Sequence, residues 1–100
     1  MLFEWDEVKR QETIERRDVD LLYAAGIFDN AVVTNLDRRA DYGEDRYISV
    51  GLVEDECFVV VHTQRGPVTR LITAWKGGRY VRENYEASIA GRHPANEGNG

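Results

Sequence analysis

Cations able to hold a phosphate ester gather in the second half of this chain. Arg65, Arg70, Lys76, Arg79, Arg82 and Arg92 fall between residues 58 and 92, against only Glu83 and Glu86, and Arg46 stands a little ahead of them. Guanidinium groups make paired hydrogen bonds to phosphate oxygens and stabilise charge that develops there. His62 lies among them, and an imidazole with an ordinary pKa of about 6.5 can move a proton between ribose, phosphate and leaving group. His62, Arg65, Arg46, Arg70 and Lys76 are therefore the candidate catalytic set, for cleavage of RNA without a metal. The alternative is a solvated arginine face beside a hydrogen-bonded structural histidine.

A second group carries binding rather than chemistry. Lys9, Arg79 and Arg82 can meet a phosphate backbone, and Trp5, Trp75 and Tyr85 offer rings on which a base can stack. Each ring has a plainer reading as core. Trp5 sits on an alternating strand, and Tyr85 is on a helix face with a hydroxyl able to reach the site. Trp75 stands at a strand end beside Lys76, Gly77 and Gly78.

The whole chain has 100 residues and a formal charge of -5, which does not suit a protein that coats nucleic acid generally. The average conceals an asymmetry: residues 1–57 hold 15 acidic and 7 basic side chains, the reverse of the later segment. A local basic surface still attracts phosphate, because screening limits distant charges to about 10 Å. One cysteine, Cys57, allows no internal disulfide and no thiolate cluster, and His62 and His93 are far apart. No metal or cofactor is expected. Phosphate-loop, nucleophile-elbow and zinc-helix motifs are missing from the sequence. With no signal peptide and no apolar run near the ~20 residues that span a bilayer, the expected location is the cytoplasm, away from membranes.

The elements that must position these groups follow from periodicity. Residues 2–5 read as a short strand, and Asp6 caps a polar helix to about Arg16. Asp18 starts a second helix on Val19, Leu22, Tyr23, Gly26 and Ile27. Strands follow over 31–36, 46–53, 57–63 and 68–76, with an acidic turn at Glu54-Asp55-Glu56 and another turn at Gly66-Pro67. Alternation places Phe58, Val60, His62 and Gln64 on one face of the third of these and Val59, Val61 and Thr63 on the other. Arg79 to Ala90 is a final helix. The expectation is one α+β domain over residues 1–91, with an antiparallel sheet of four to five strands, two N-terminal helices and one C-terminal helix. One sheet face should be covered by helices, and residues 92–100 should form a flexible tail.

Five segments, taken in order, resemble the BrnT toxins of type II toxin–antitoxin systems. Phe3-Glu4-Trp5-Asp6-Glu7-Val8-Lys9 is similar to the family's F-x-W-D-x-x-K. Asp37 to Arg46 is similar to its D-x-R-x-x-Y-G-E-x-R, followed by a strand bearing Gly51. Val59 to Gly66 is similar to V-V-V-[YH]-T-x-R-G, Arg70 to Ala74 to R-I-I-S-A, and Tyr85 to the tyrosine of the terminal helix. The chain departs from the pattern in three places. Arg16-Arg17-Asp18 replace K-H-G, Trp75 replaces an arginine, and Tyr80-Val81 replace an R-E pair. The resemblance implies a RelE/ParE-like fold, an endoribonuclease that arrests translation, and a BrnA-type antitoxin encoded alongside. It further implies a two-plus-two complex that reaches operator DNA through the antitoxin. Loss of the R-E pair motivates a second reading, a non-catalytic partner or co-repressor of the antitoxin. A third is a toxin acting on a DNA topoisomerase, as in the ParE branch.

Overall fold

The computed structural model describes residues 1–91; the tail expected at 92–100 lies outside them. The chain begins with strand β1 (Leu2–Trp5), and Asp6 then caps helix α1 (Glu7–Arg17) by accepting from the Val8 and Lys9 amides. That cap satisfies two of the donors that every helix start leaves free. Asp18 ends α1 in the left-handed conformation at φ 56°, its amide bonded to the Ile14 carbonyl. Helix α2 is a single turn, Leu21–Ala24, which runs on as a 3-10 segment over Ala25–Asp29.

The second helix therefore differs from the continuous one expected from Val19 to Ile27. Asp18 closes the first helix, and Asp20 opens the next by accepting from the Leu22 amide at 2.9 Å. Its start is displaced, so Leu21, Ala24, Ala25 and Ile27 turn inward while Leu22 and Tyr23 face solvent. Asp20 also takes a bidentate pair from Arg10, both contacts at 2.8 Å, which ties α1 to α2.

Four further strands follow: β2 (Val33–Leu36), β3 (Tyr47–Val53), β4 (Glu56–Arg65) and β5 (Val68–Lys76); helix α3 (Arg79–Ile89) ends the described chain. Sheet order is β1-β5-β4-β3-β2. The run from β2 to β5 is the expected antiparallel meander. Glu54 and Asp55, both at positive φ, turn its β3–β4 hairpin. The fully antiparallel expectation fails at one edge, where β1 pairs with β5 in parallel, Leu2 with Val68 through Trp5 with Leu71. A parallel partner needs no hairpin, so nothing local in the sequence reports the pairing.

Helices lie on both faces of the sheet, which corrects the expectation of one covered face. Phe58, Val60, Leu71 and Ala74 form a core with Val19, Leu21, Ala24, Ala25 and Ile27. On the other face α3 packs on β2 and β3, and Tyr85 donates from its hydroxyl to the Ala31 carbonyl at 2.7 Å. Neighbouring residues of β3 show the division, because Val50 meets the groove lined by Val81 and Tyr85, while Gly51 meets Ile27. No helix among the described residues is long and apolar enough to cross a membrane.

Gly51 is where the 3-10 segment approaches the sheet most closely. A Cβ there would lie 2.8 Å from the Ile27 Cβ and 3.2 Å from a Val32 methyl. Gly51→Ala should therefore lower unfolding stability by about 1–3 kcal/mol through overpacking, measured as a reduced urea midpoint with unchanged slope.

Candidate functional site

The ten-residue segment from Asp37 to Arg46 joins β2 to β3, and the Asp37 amide closes it by donating to the Arg46 carbonyl at 2.7 Å. Inside that closure several residues with strong chemical preferences find partners. The Asp37 carboxylate is fully buried and receives Nε and Nη2 of Arg39, both at 2.8 Å, together with the Arg39 amide. The Arg39 guanidinium beside it holds the Asp37 carboxyl down to about 2. Gly43 turns the chain at φ +73°, a region that glycine adopts without strain. Arg46 lies over the Tyr42 ring at 4.2 Å.

Glu44 gathers two cations, Arg46 at 3.3 Å and Arg65 at 3.7 Å. The adjoining strands extend the group. Arg70 pairs with Thr63 across β4 and β5 and with Glu4 across β5 and β1, and the Arg70 guanidinium meets the Glu4 carboxylate at 3.4 Å. Thr63 donates from its hydroxyl to the Asp45 carbonyl at 2.6 Å, which pins the loop to the sheet. Arg46 precedes Tyr47, the partner of His62, so it lies level with Thr63. Arg46, Arg65 and Arg70 thus share one corner of the sheet, on the face away from the main core.

Farther along β5, Trp75 has two guanidinium groups against its ring, Arg17 at 5.3 Å and Arg39 at 5.4 Å from the centroid. Arg17 also donates to the Ala74 carbonyl at 3.3 Å. Lys9, Arg16 and Arg17 line a small notch with Thr73, so the basic side of α1 borders the same strand. Arg17, Arg39, Asp37 and Glu44 did not emerge as site residues from sequence. The D-x-R-x-x-Y-G-E-x-R spacing held the signal for three of them, whereas the Arg17 contact is purely tertiary.

The remaining expected residues go elsewhere. Lys76 stands at the opposite end of β5 from Arg70, 3.7 Å from Asp18. It borders a hollow shared with Arg79 and Arg82. Arg79 pairs with Glu83 at 3.2 Å, and Arg82 pairs with Asp55 at 2.7 Å. Trp5 packs against the core and donates its indole N–H to Glu7 at 3.0 Å. Tyr85 has its hydroxyl committed to Ala31.

His62 is set apart from the arginines. It is 8% exposed, edge-on to Phe28 and stacked on Tyr47, with Nε2 2.7 Å from the Ser49 hydroxyl. Ser49 in turn meets Thr34 at 2.7 Å, while Nδ1 of His62 has no hydrogen-bond partner among the described residues. The geometry does not bring this imidazole into the arginine corner. Burial pushes its pKa below the ordinary value.

Arginines in excess around a platform of aromatic rings form a surface complementary to a polyanion that carries planar groups. The class so defined is a small α+β domain with a cationic, aromatic surface on one sheet face. The comparison with protein families goes further. Residues 5–79 match the family model described as ribonuclease toxin, BrnT, of type II toxin–antitoxin system, and the chain belongs to that family. No curated protein matches the chain. Membership makes it a ribonuclease toxin by family and implies an antitoxin partner.

The buried histidine generates a pH dependence. An unfolded imidazole binds a proton near pH 6.5 and the folded one only at lower pH, so acidification favours the unfolded chain. Stability should fall from pH 7 to pH 5 more steeply in the native chain than in His62→Gln, by urea denaturation at each pH. Parallel curves would dismiss His62 as the source.

Proposed function

We propose that this chain is a metal-independent endoribonuclease that cleaves RNA and so inhibits translation, neutralised by a BrnA-type antitoxin. The observation that carries the reading is the corner where Arg46, Arg65 and Arg70 converge around Glu44 and Glu4. A phosphodiester entering there meets guanidinium forks already oriented by carboxylates. When a ribose 2′-hydroxyl gives its proton to water and attacks the adjacent phosphorus, the bond to the 5′-oxygen breaks, that oxygen takes a proton from water, and negative charge grows on the phosphoryl oxygens along the way. Preorganised arginines stabilise that charge at little reorganisation cost. In this reading His62 supports the fold through Ser49, and Lys76 does not touch the substrate. Operator DNA is reached only through the antitoxin complex.

One feature favours a second reading, a non-catalytic partner or co-repressor of the antitoxin. Glu44 and Glu4 already engage all three corner arginines, which offsets part of the charge offered to phosphate. The two readings separate in a single experiment. Tightly induced expression in a bacterium should halt incorporation of labelled methionine and fragment RNA. Arg46→Ala and Arg70→Ala should each reduce cleavage by the purified chain on the order of 10²-fold with unchanged circular dichroism. Normal growth and intact RNA beside tight antitoxin binding would establish the co-repressor instead.

A further inference from the structure

Three remote segments meet at Trp75 in a way that the phosphate corner does not require. Arg17 comes from the end of α1, Arg39 from the loop after β2, and Trp75 from the end of β5. Both guanidinium groups lie within the ~6 Å over which a cation is attracted to an indole. Each is also fixed from behind. Arg39 is clamped by the buried Asp37 carboxylate through two contacts at 2.8 Å, and Arg17 by the Ala74 carbonyl at 3.3 Å. The carbonyl carries no charge, so the Arg17 cation is not neutralised at that contact.

A buried carboxylate spent on holding a half-exposed guanidinium against a ring is a device for orientation. What it orients is a set of planar π surfaces of positive charge. A phosphate alone has no use for the rings, and a duplex keeps its base faces stacked internally. An unpaired nucleobase fits both features, since its face stacks on aromatic or guanidinium planes.

We propose that Trp75, Arg17 and Arg39 seat an unpaired nucleobase of single-stranded RNA, with Asp37 as the positioning residue. The proposal rests on the ribonuclease reading and deepens it by naming the substrate class. The base seat and the phosphate corner lie on one path. Arg39 and Arg46 belong to the same closed loop, and Arg70 and Trp75 lie on the same strand, five residues or roughly 16 Å apart. One strand of RNA can therefore place a phosphate at the corner and a base at Trp75. Duplex RNA, whose bases are not free, should not use the seat.

The test uses the purified chain and a single-stranded RNA oligonucleotide fully 2′-O-methylated, which cannot be cleaved because its ribose nucleophile is blocked. Binding should quench tryptophan emission, and Trp75→Leu should weaken binding between roughly 5-fold and 100-fold, the range given by loss of one base–aromatic stack. Trp75→Phe should recover most of the loss, which a merely structural role for the indole would not predict. Arg39→Ala and Asp37→Asn should weaken binding in the same direction, while a duplex of the same sequence should bind all variants alike. The proposal is overturned if the native chain does not bind the single strand. It is equally overturned if an abasic oligonucleotide binds as tightly as the intact one, or if Trp75→Leu and Arg39→Ala leave affinity unchanged. Cleavage of unmodified RNA by a Trp75 variant with unaltered KM would sink the base seat and leave the ribonuclease reading standing. Base-dependent binding without cleavage would do the reverse.

Discussion

Strand β4 is buried on both faces from Cys57 to Thr63, and the rest of the molecule is arranged to cover it. A central strand can satisfy its backbone on both sides but must have its side chains sealed above and below, and one layer of helices cannot do both. On one side the short α2 and its 3-10 continuation lay Leu21, Ala24 and Ile27 against Phe58 and Val60. On the other, α3 returns over β2 and β3 and leaves the β4–β5 part of that face to the loop from Asp37 to Arg46 and to the end of α1. The candidate surface is thus the part of the second layer that α3 leaves uncovered. Polar and charged side chains close it, with Arg17 and Arg39 against Trp75 and the Thr63 hydroxyl on the Asp45 carbonyl.

This arrangement gives the carboxylates of the region two distinct tasks. Asp37 is sealed from solvent and fixes one guanidinium rigidly, with its ionisation secured by that contact. Glu44 and Glu4 are partly exposed and sit between or beside arginines at 3.3 to 3.7 Å, contacts that an incoming phosphate can replace at modest cost. A surface built this way holds its shape when empty without committing its charge permanently. The negative balance of the whole chain is compatible with it, since Glu54, Asp55 and Glu56 stand at the far end of the β3–β4 hairpin.

Much of this was legible in the residues. The strands of the meander, their turns and the capping of α1 by Asp6 follow from local chemistry, whereas the segment after β2 was readable only as a charged connection and its internal pairs were not. The alternation of β4 also held, but alternation does not say which side is the interior. Phe58 and Val60 therefore share their face with His62, and the imidazole went inward with them. The break after α1 was legible, but the start of α2 escaped because Asp18 and Asp20 are both acceptable caps, and only packing decides which opens the second helix. The parallel position of β1 and the arrival of Arg17 at Trp75 depend on contacts between distant segments, for which a single sequence carries no periodic signature.

The parallel edge has a consequence for when the protein becomes whole. Leu2 pairs with Val68 and Glu4 reaches Arg70, so β1 must wait for the much later β5 before it can enter the sheet. Contacts of such long sequence separation form late, after the hairpins that supply their template. A nascent chain that has completed β2, β3 and β4 still lacks the strand that bears Arg70 and Trp75, together with the edge that steadies it. For a ribonuclease toxin made on ribosomes, the topology itself delays assembly of the cationic corner until β5 has been translated.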